Sequence, residues 1–126
     1  MNPNEPARPI RTFRDLLVWQ KAIQLAITVY RVTQAFPKEE KYGLTSQVRR
    51  AAVSVSSNIA EGHARQGREF AHFLSIARGS AAEVESQLYL AAELGFIEHA
   101  ATIAAVSLAG EIHRMAASLA EKVSGH

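Results

Sequence analysis

The chain contains no cysteine, which excludes a disulfide frame, a thiolate metal site and a cysteine nucleophile. Glycine and proline are sparse, at 7 and 4 residues of 126, and β-branched residues are scattered rather than gathered into runs, which argues against a strand-rich fold. No apolar run free of charge reaches the roughly 18 residues that a membrane span needs, and the polar, proline-rich opening from Met1 to Pro9 has no apolar stretch of the signal-peptide kind. The expectation is a cytoplasmic protein without a membrane partner.

Catalytic patterns are also missing. No Gly-x-Ser-x-Gly elbow occurs, and Gly62 and Gly67 are single punctuation marks rather than a phosphate-binding loop. A carboxylate di-metal bundle requires two Glu-x-x-His pairs on facing helices. This chain has one, Glu69 with His72. We therefore expect no enzyme, no catalytic residue, no metal and no cofactor.

What the chain does have is helix-forming sequence: 48 % of its residues are apolar, and Ala, Leu, Glu, Arg and Gln dominate. Residues 1–12 read as a flexible tail that carries Arg8 and Arg11. A first helix is expected over about 13–36, with Thr12 as its cap and Pro37 as its stop. Leu16, Trp19, Ile23, Ala26 or Ile27 and Tyr30 recur on one of its faces; Leu25, Val29, Val32 and Phe36 recur on a second. Only the narrow stripe of Lys21, Gln24, Thr28 and Arg31 is polar. A helix this apolar around its girth has more surface to hide than one bundle core takes, which predicts a homo-oligomer.

A polar connection, Pro37 to Gly43, leads to a second helix over about 44–61, with Leu44, Val48, Ala51 or Ala52, Val55 and Ile59 at helical spacing and Gly62 as a candidate C-terminal cap. The third helix spans about 68–94, roughly 40 Å at 1.5 Å per residue. Its stripe is Phe70, Phe73 or Leu74, Ala77, Ala81, Val84, Leu88 and Ala91. Gly79 inside it predicts either a bend or the close passage of another helix. Gly95 closes it, and a fourth helix follows over about 98–122 with Ile97, Ala101, Ala104, Leu108, Ile112, Met115 and Leu119 on one face, before a C-terminal tail at 123–126. Four amphipathic helices on short connections make an all-α, antiparallel up-down four-helix bundle the economical solution.

Charge is unevenly spread. Residues 1–68 hold eleven Lys or Arg against five acids, and residues 69–126 hold three against seven. The basic half suits a polyanion, and opposite signs in one chain equally suit pairing between helices or head-to-tail between subunits. On helix 2, Gln47, Arg50, Ser54, Asn58 and Glu61 recur at steps of three and four and form a polar ladder. Gln47, Asn58 and Glu61, with Ser80 and Glu83 of helix 3, are candidates for a structural polar network in which Glu83 could pair with Arg50 across the bundle. Arg49, Arg50, Arg65 and Arg68, with Arg11 and Arg14 near the N-terminus, are the candidate phosphate contacts. No recognition helix or aromatic stacking platform accompanies them, so any nucleic-acid binding would read the backbone rather than the bases.

The runs Phe36-Pro37, Glu40, Tyr42-Gly-Leu44, Gln47-Val-Arg-Arg-Ala51, Ser54-Val-Ser-Ser-Asn-Ile-Ala-Glu-Gly62 and Phe73-Leu-Ser-Ile-Ala-Arg-Gly-Ser80 with Glu83 resemble the bacterial four-helix-bundle proteins encoded by intervening sequences in 23S ribosomal RNA genes. The resemblance covers about residues 13–120. It implies a ring-like homo-oligomer, a pentamer in that family, and, through a related accessory bundle of retroelements, a capacity to bind RNA and a protein partner. It carries over no catalytic residues. Ser56 departs from the family's frequent proline, which implies a straighter second helix. Two functions follow as expectations: an oligomer that binds RNA or another nucleic acid through a basic surface of helices 1 and 2, or an oligomeric protein-protein scaffold or adaptor with no nucleic-acid role.

Overall fold

A computed structural model of the protein describes residues 9–124. The expected tail residues 1–8, Arg8 among them, and residues 125–126 lie outside the described residues. Within them the chain forms four α-helices and no strand: α1 Leu17–Thr33, α2 Leu44–Arg65, α3 Gly67–Glu93 and α4 Ile103–Ser124. Short 3-10 turns stand at Phe13–Asp15, Lys38–Glu40 and His99–Thr102. Helix α1 packs on α2 and α4, and α3 packs on the same two, so α1 and α3 lie across the diagonal of a square. Pairs such as Ser54 with Ser80, and Gly62 with Phe73, have numbers that rise on α2 as they fall on α3, which makes those two helices antiparallel.

Each start and stop has a local cause. Thr12 caps the first turn by accepting from Arg14 N at 3.2 Å, and Asp15 reaches back to the N–H groups of Arg11 and Thr12 at 2.8 and 3.0 Å, a capping box. Those two backbone donors, helped by the Arg11 and Arg14 charges, hold the Asp15 carboxyl below its ordinary range. Its folded value being the lower one, the contribution of this cap is complete at neutral pH and is lost as pH falls through that value. After Thr33 the backbone tightens into bonds from Gln34, Ala35 and Phe36 to carbonyls three residues back, and Pro37 prevents further turns. Glu40 Oε1 accepts from Leu44 N at 2.9 Å, so a carboxylate sits at the positive end of α2. At the far end of α3, Gly95 adopts φ +81°. Its N–H bonds Ala92 O, while the N–H of Phe96 bonds Ala91 O, the double closure of a Schellman motif.

The core runs between the four helices. Leu25, Ile59, Leu74, Leu88 and Ile112 are its largest fully buried side chains, each contributing roughly 1.5–3 kcal/mol of burial. On α2 and α3 the buried residues follow the expected stripes, with Leu74 rather than Phe73 innermost. On α4 the expected face is met in part: Ile112 is buried and Ile97, Leu108, Met115 and Leu119 pack partly buried against the core, while Ala105, Ala109 and Ala116 are buried beside them and Ala101 and Ala104 are exposed. Ala101 lies in the 3-10 turn His99–Thr102, which advances about three residues per turn instead of 3.6 and takes it out of the phase of α4. Alanine on every side of α4 left that shift without a hydrophobic signature.

Two glycines differ from the sequence expectation. Gly62 is a buried interior residue of α2 rather than its cap, and the helix runs on to Arg65. A Cβ at Gly62 would stand 2.8 Å from Phe73 Cβ, 2.9 Å from Phe70 Cδ1 and 3.2 Å from Phe70 O, so the missing side chain is what lets α3 approach. The reversal comes instead at Gln66 and Gly67, with φ +65° and +59°. Gly79, in contrast, has no neighbour within 4 Å of where a Cβ would lie, and α3 runs unbroken through it.

These two positions should respond oppositely to the same change. Gly62→Ala is expected to cost about 1–3 kcal/mol through overpacking, whereas Gly79→Ala should stabilise by about 0.5–1 kcal/mol through helix propensity. Thermal melts followed by circular dichroism read both, and equal behaviour of the two variants would refute the close approach at Gly62.

Candidate interaction surfaces

The polar ladder of α2 faces α3. Ser54 Oγ and Ser80 Oγ lie 2.9 Å apart, and Asn58 Nδ2 donates to Ser54 O at 2.8 Å and Ser54 Oγ at 2.9 Å. Asn58 and Ser80 thus meet through Ser54, which satisfies polar groups at a helix contact where water is largely excluded. Next to this cluster, Gln47, Arg50, Ala51, Ser54, Ser80, Glu83 and Gln87 line a shallow groove of ≈ 300 Å³. Arg50 and Glu83 share it without closing to ion-pair distance, and the buried Gln87 Oε1 has no hydrogen-bond partner. Glu61 turns to the end of α2, where its Oε1 lies 3.3 Å from Arg65 Nη2.

The candidate phosphate contacts divide into two groups. Arg49 is tied to α1: its Nε donates to Thr33 Oγ1 at 2.8 Å, Nη2 reaches Tyr30 O at 3.4 Å, and the guanidinium lies 4.5 Å from the Tyr30 ring centroid. Arg65 sits between Glu61 and Glu69, 3.3 Å from each, and over the Phe73 ring at 5.3 Å. The hydrogen bonds that it donates to Glu69 and Glu61 raise its pKa. Arg11, Arg14, Arg50 and Arg68 are exposed, and none of them has a carboxylate within ion-pair distance among the described residues. The structural use of Arg49 could be sensed in the sequence only from its place one residue off the ladder step at Arg50.

The two apolar faces of α1 are treated unequally. Val18, Ala22, Leu25 and Val29 enter the core. Ile23, Ala26, Ile27 and Tyr30 instead line a shallow surface groove with Arg31 and Gln34, and Ile27 and Tyr30 remain 45 % and 44 % exposed. Among the described residues no three His, Asp or Glu side chains are grouped to hold a metal ion, and no helix is long and apolar enough to cross a membrane.

Residues 14–118 match the family described as 23S rRNA-intervening sequence protein. The chain belongs to that family. Among solved structures, a protein of unknown function from the S23 ribosomal protein family of Bacteroides thetaiotaomicron is similar at a TM-score of 0.73 and 23 % identity, over 83 % of this chain and 99 % of that one. That likeness supports the four-helix fold. No curated protein matches the chain. Neither the description of the 23S rRNA-intervening sequence family nor that of the solved structure names a reaction. Within this family member, α2 runs unbroken through the buried Ser56, whose hydroxyl donates to Val53 O at 3.1 Å.

Neighbouring arginines on α2 should separate by role. Arg49→Ala is expected to lower stability by about 1–2 kcal/mol through loss of a charged hydrogen bond and the Tyr30 stacking, and Arg50→Ala to stay within about 0.5 kcal/mol of the parent. Urea unfolding followed by circular dichroism measures both. Equal midpoints would show that the Arg49 contacts contribute nothing.

Proposed function

We propose that the protein is a non-catalytic, self-associating bundle, a homo-oligomeric scaffold of the cytoplasm. The supporting observation is the apolar strip of α1. On the neighbouring helix α2, Val53 is also 42 % exposed. Ile23, Ala26, Ile27 and Tyr30 line one apolar groove on the surface of α1, and exposed apolar surface gathered in this way marks an interaction site. A pentameric ring, the state implied by the resemblance of the sequence, accommodates such a surface. Light scattering at micromolar concentration is expected to give a mass above twice the 13.8 kDa protomer, falling to that of the protomer in Ile27→Glu with helicity unchanged. A monomeric parent protein would overturn the proposal.

A second reading, RNA binding, is favoured by a different observation: Arg11, Arg14, Arg50 and Arg68 are exposed and free of carboxylate partners among the described residues. Repeated around an oligomer, such cations would contact phosphates without reading sequence. Binding to structured ribosomal RNA should then weaken steeply with salt, and Arg50→Glu combined with Arg68→Glu should reduce affinity by about tenfold or more and flatten the salt slope. Equal binding of duplex DNA would reduce the interaction to charge alone, and no RNA binding at low salt would remove this reading.

A further inference from the structure

The groove of ≈ 300 Å³ between α2 and α3 is lined by polar side chains whose bonding capacity the chain itself leaves unused. Among the described residues neither Arg50 nor Glu83 has an ion-pair partner. Gln87 Oε1 is shut off from water and accepts no hydrogen bond, a costly state for an amide oxygen unless a donor reaches it. The serine pair at the edge of the groove has a surplus as well. Ser54 and Ser80 bring one hydroxyl proton each, and the 2.9 Å contact between them uses only one. Asn58 comes to Ser54 as a donor, so the second proton has no acceptor among the described residues.

The two sides of the groove are chemically unlike. Gln47 and Arg50 share a face of α2, and Glu83 and Gln87 share a face of α3, because residues three or four apart are neighbours on a helix. The α2 side thus presents a guanidinium fork with an amide beside it, and the α3 side presents a carboxylate and the unpartnered amide oxygen. Rotation about the last torsion of Gln87 turns that oxygen toward the groove. A simple anion drawn to Arg50 would be repelled by Glu83, and a simple cation drawn to Glu83 would be repelled by Arg50. A ligand that satisfies both sides carries a negative group toward α2 and a positive group toward α3, and the small volume requires the two charges to be close together. The groove lies at the lower end of the range of about 300–1,000 Å³ found for small-molecule sites.

We infer that this groove binds a small zwitterion of the α-amino-acid class. Its carboxylate lies in the fork of Arg50, the geometry in which such pairs are strongest, and accepts the spare hydroxyl proton of the serine pair. Its ammonium lies between Glu83 and Gln87 Oε1. Since both charged side chains are exposed, solvent screening keeps the affinity modest, with Kd on the order of 1 mM. The site is separate from the apolar groove of α1. It shares Arg50 with the RNA reading, whereas Glu83 and Gln87 have no part in that reading.

The probe is glycine, the smallest such zwitterion, titrated into the full-length protein and followed by two-dimensional amide NMR, with acetate and methylammonium as its two halves. Glycine is expected to saturate with Kd on the order of 1 mM and to shift the amides around the groove, and each half to bind about tenfold more weakly or worse. Arg50→Gln and Glu83→Gln, with helicity checked by circular dichroism, should each weaken glycine by about tenfold. The exchange of Arg50→Glu with Glu83→Arg in one chain should recover that loss, because a zwitterion can turn end for end. No saturable glycine binding would overturn the inference. Acetate binding as tightly as glycine, or Glu83→Gln binding glycine as well as the parent, would also overturn it, since either would reduce the site to a lone surface cation. An exchanged variant that binds no better than the single ones would show that the paired charges do not select the ligand, and would overturn it too.

Discussion

The close approach of α2 and α3 is the constraint on which the rest of the molecule depends. It is made possible by what is absent at Gly62, where any side chain would collide with Phe70 and Phe73, and by small residues along the seam, Ala51, Ser54, Ala77, Ser80 and Ala81. At the centre of this seam the polar groups are short and bond each other, as Asn58, Ser54 and Ser80 do. The chain then reverses directly from Arg65 into Gly67 through two left-handed backbone conformations, with no linker to loosen the pair. Helices α1 and α4 are laid against this hairpin and take their spacing from it.

A narrow bundle built this way has a cost for α1. Alanine-rich neighbours and close axes leave a thin core, and a thin core accepts one stripe of α1, not two. Val18, Ala22, Leu25 and Val29 fill it. Ile23, Ile27 and Tyr30 lie roughly a third to a half turn around the helix from that stripe and line the surface groove. The same geometry places the negative surplus of the last two helices on the wall opposite α1 and α2.

The polar residues show how structural and binding roles compete for the same side chains. Arginine is suited both to phosphates and to fixing helices to each other, since its planar fork bonds and stacks at once. Arg49 is committed to α1 through Thr33 and Tyr30, and Arg65 to two glutamates and the Phe73 ring. Arg50 and Arg68 have no such commitments among the described residues. The difference between Arg49 and Arg50 is one residue of sequence and about 100° of helix rotation, enough to move a side chain from the α1 interface to an open groove.

Much of the fold was legible in the sequence because it depends on period and punctuation. The stripes of α2 and α3, the Thr12 cap, the stop before Pro37 and the closure at Gly95 all rest on local rules that a single chain displays. The phase of α4 was hidden, since alanines carry too little hydrophobic contrast to show which face turns inward after a 3-10 turn. Glycine was misread in both places for one reason: a lone glycine looks alike whether it caps a helix, admits a neighbour or faces open solvent. The sequence by itself determined that the protein is helical, that it has four main helices in this order, and that α1 is more apolar than one core needs. Only the tertiary structure decided which stripe of α1 is buried, which arginines are already engaged and which walls face outward together, because those outcomes depend on distances between helices that no local pattern encodes.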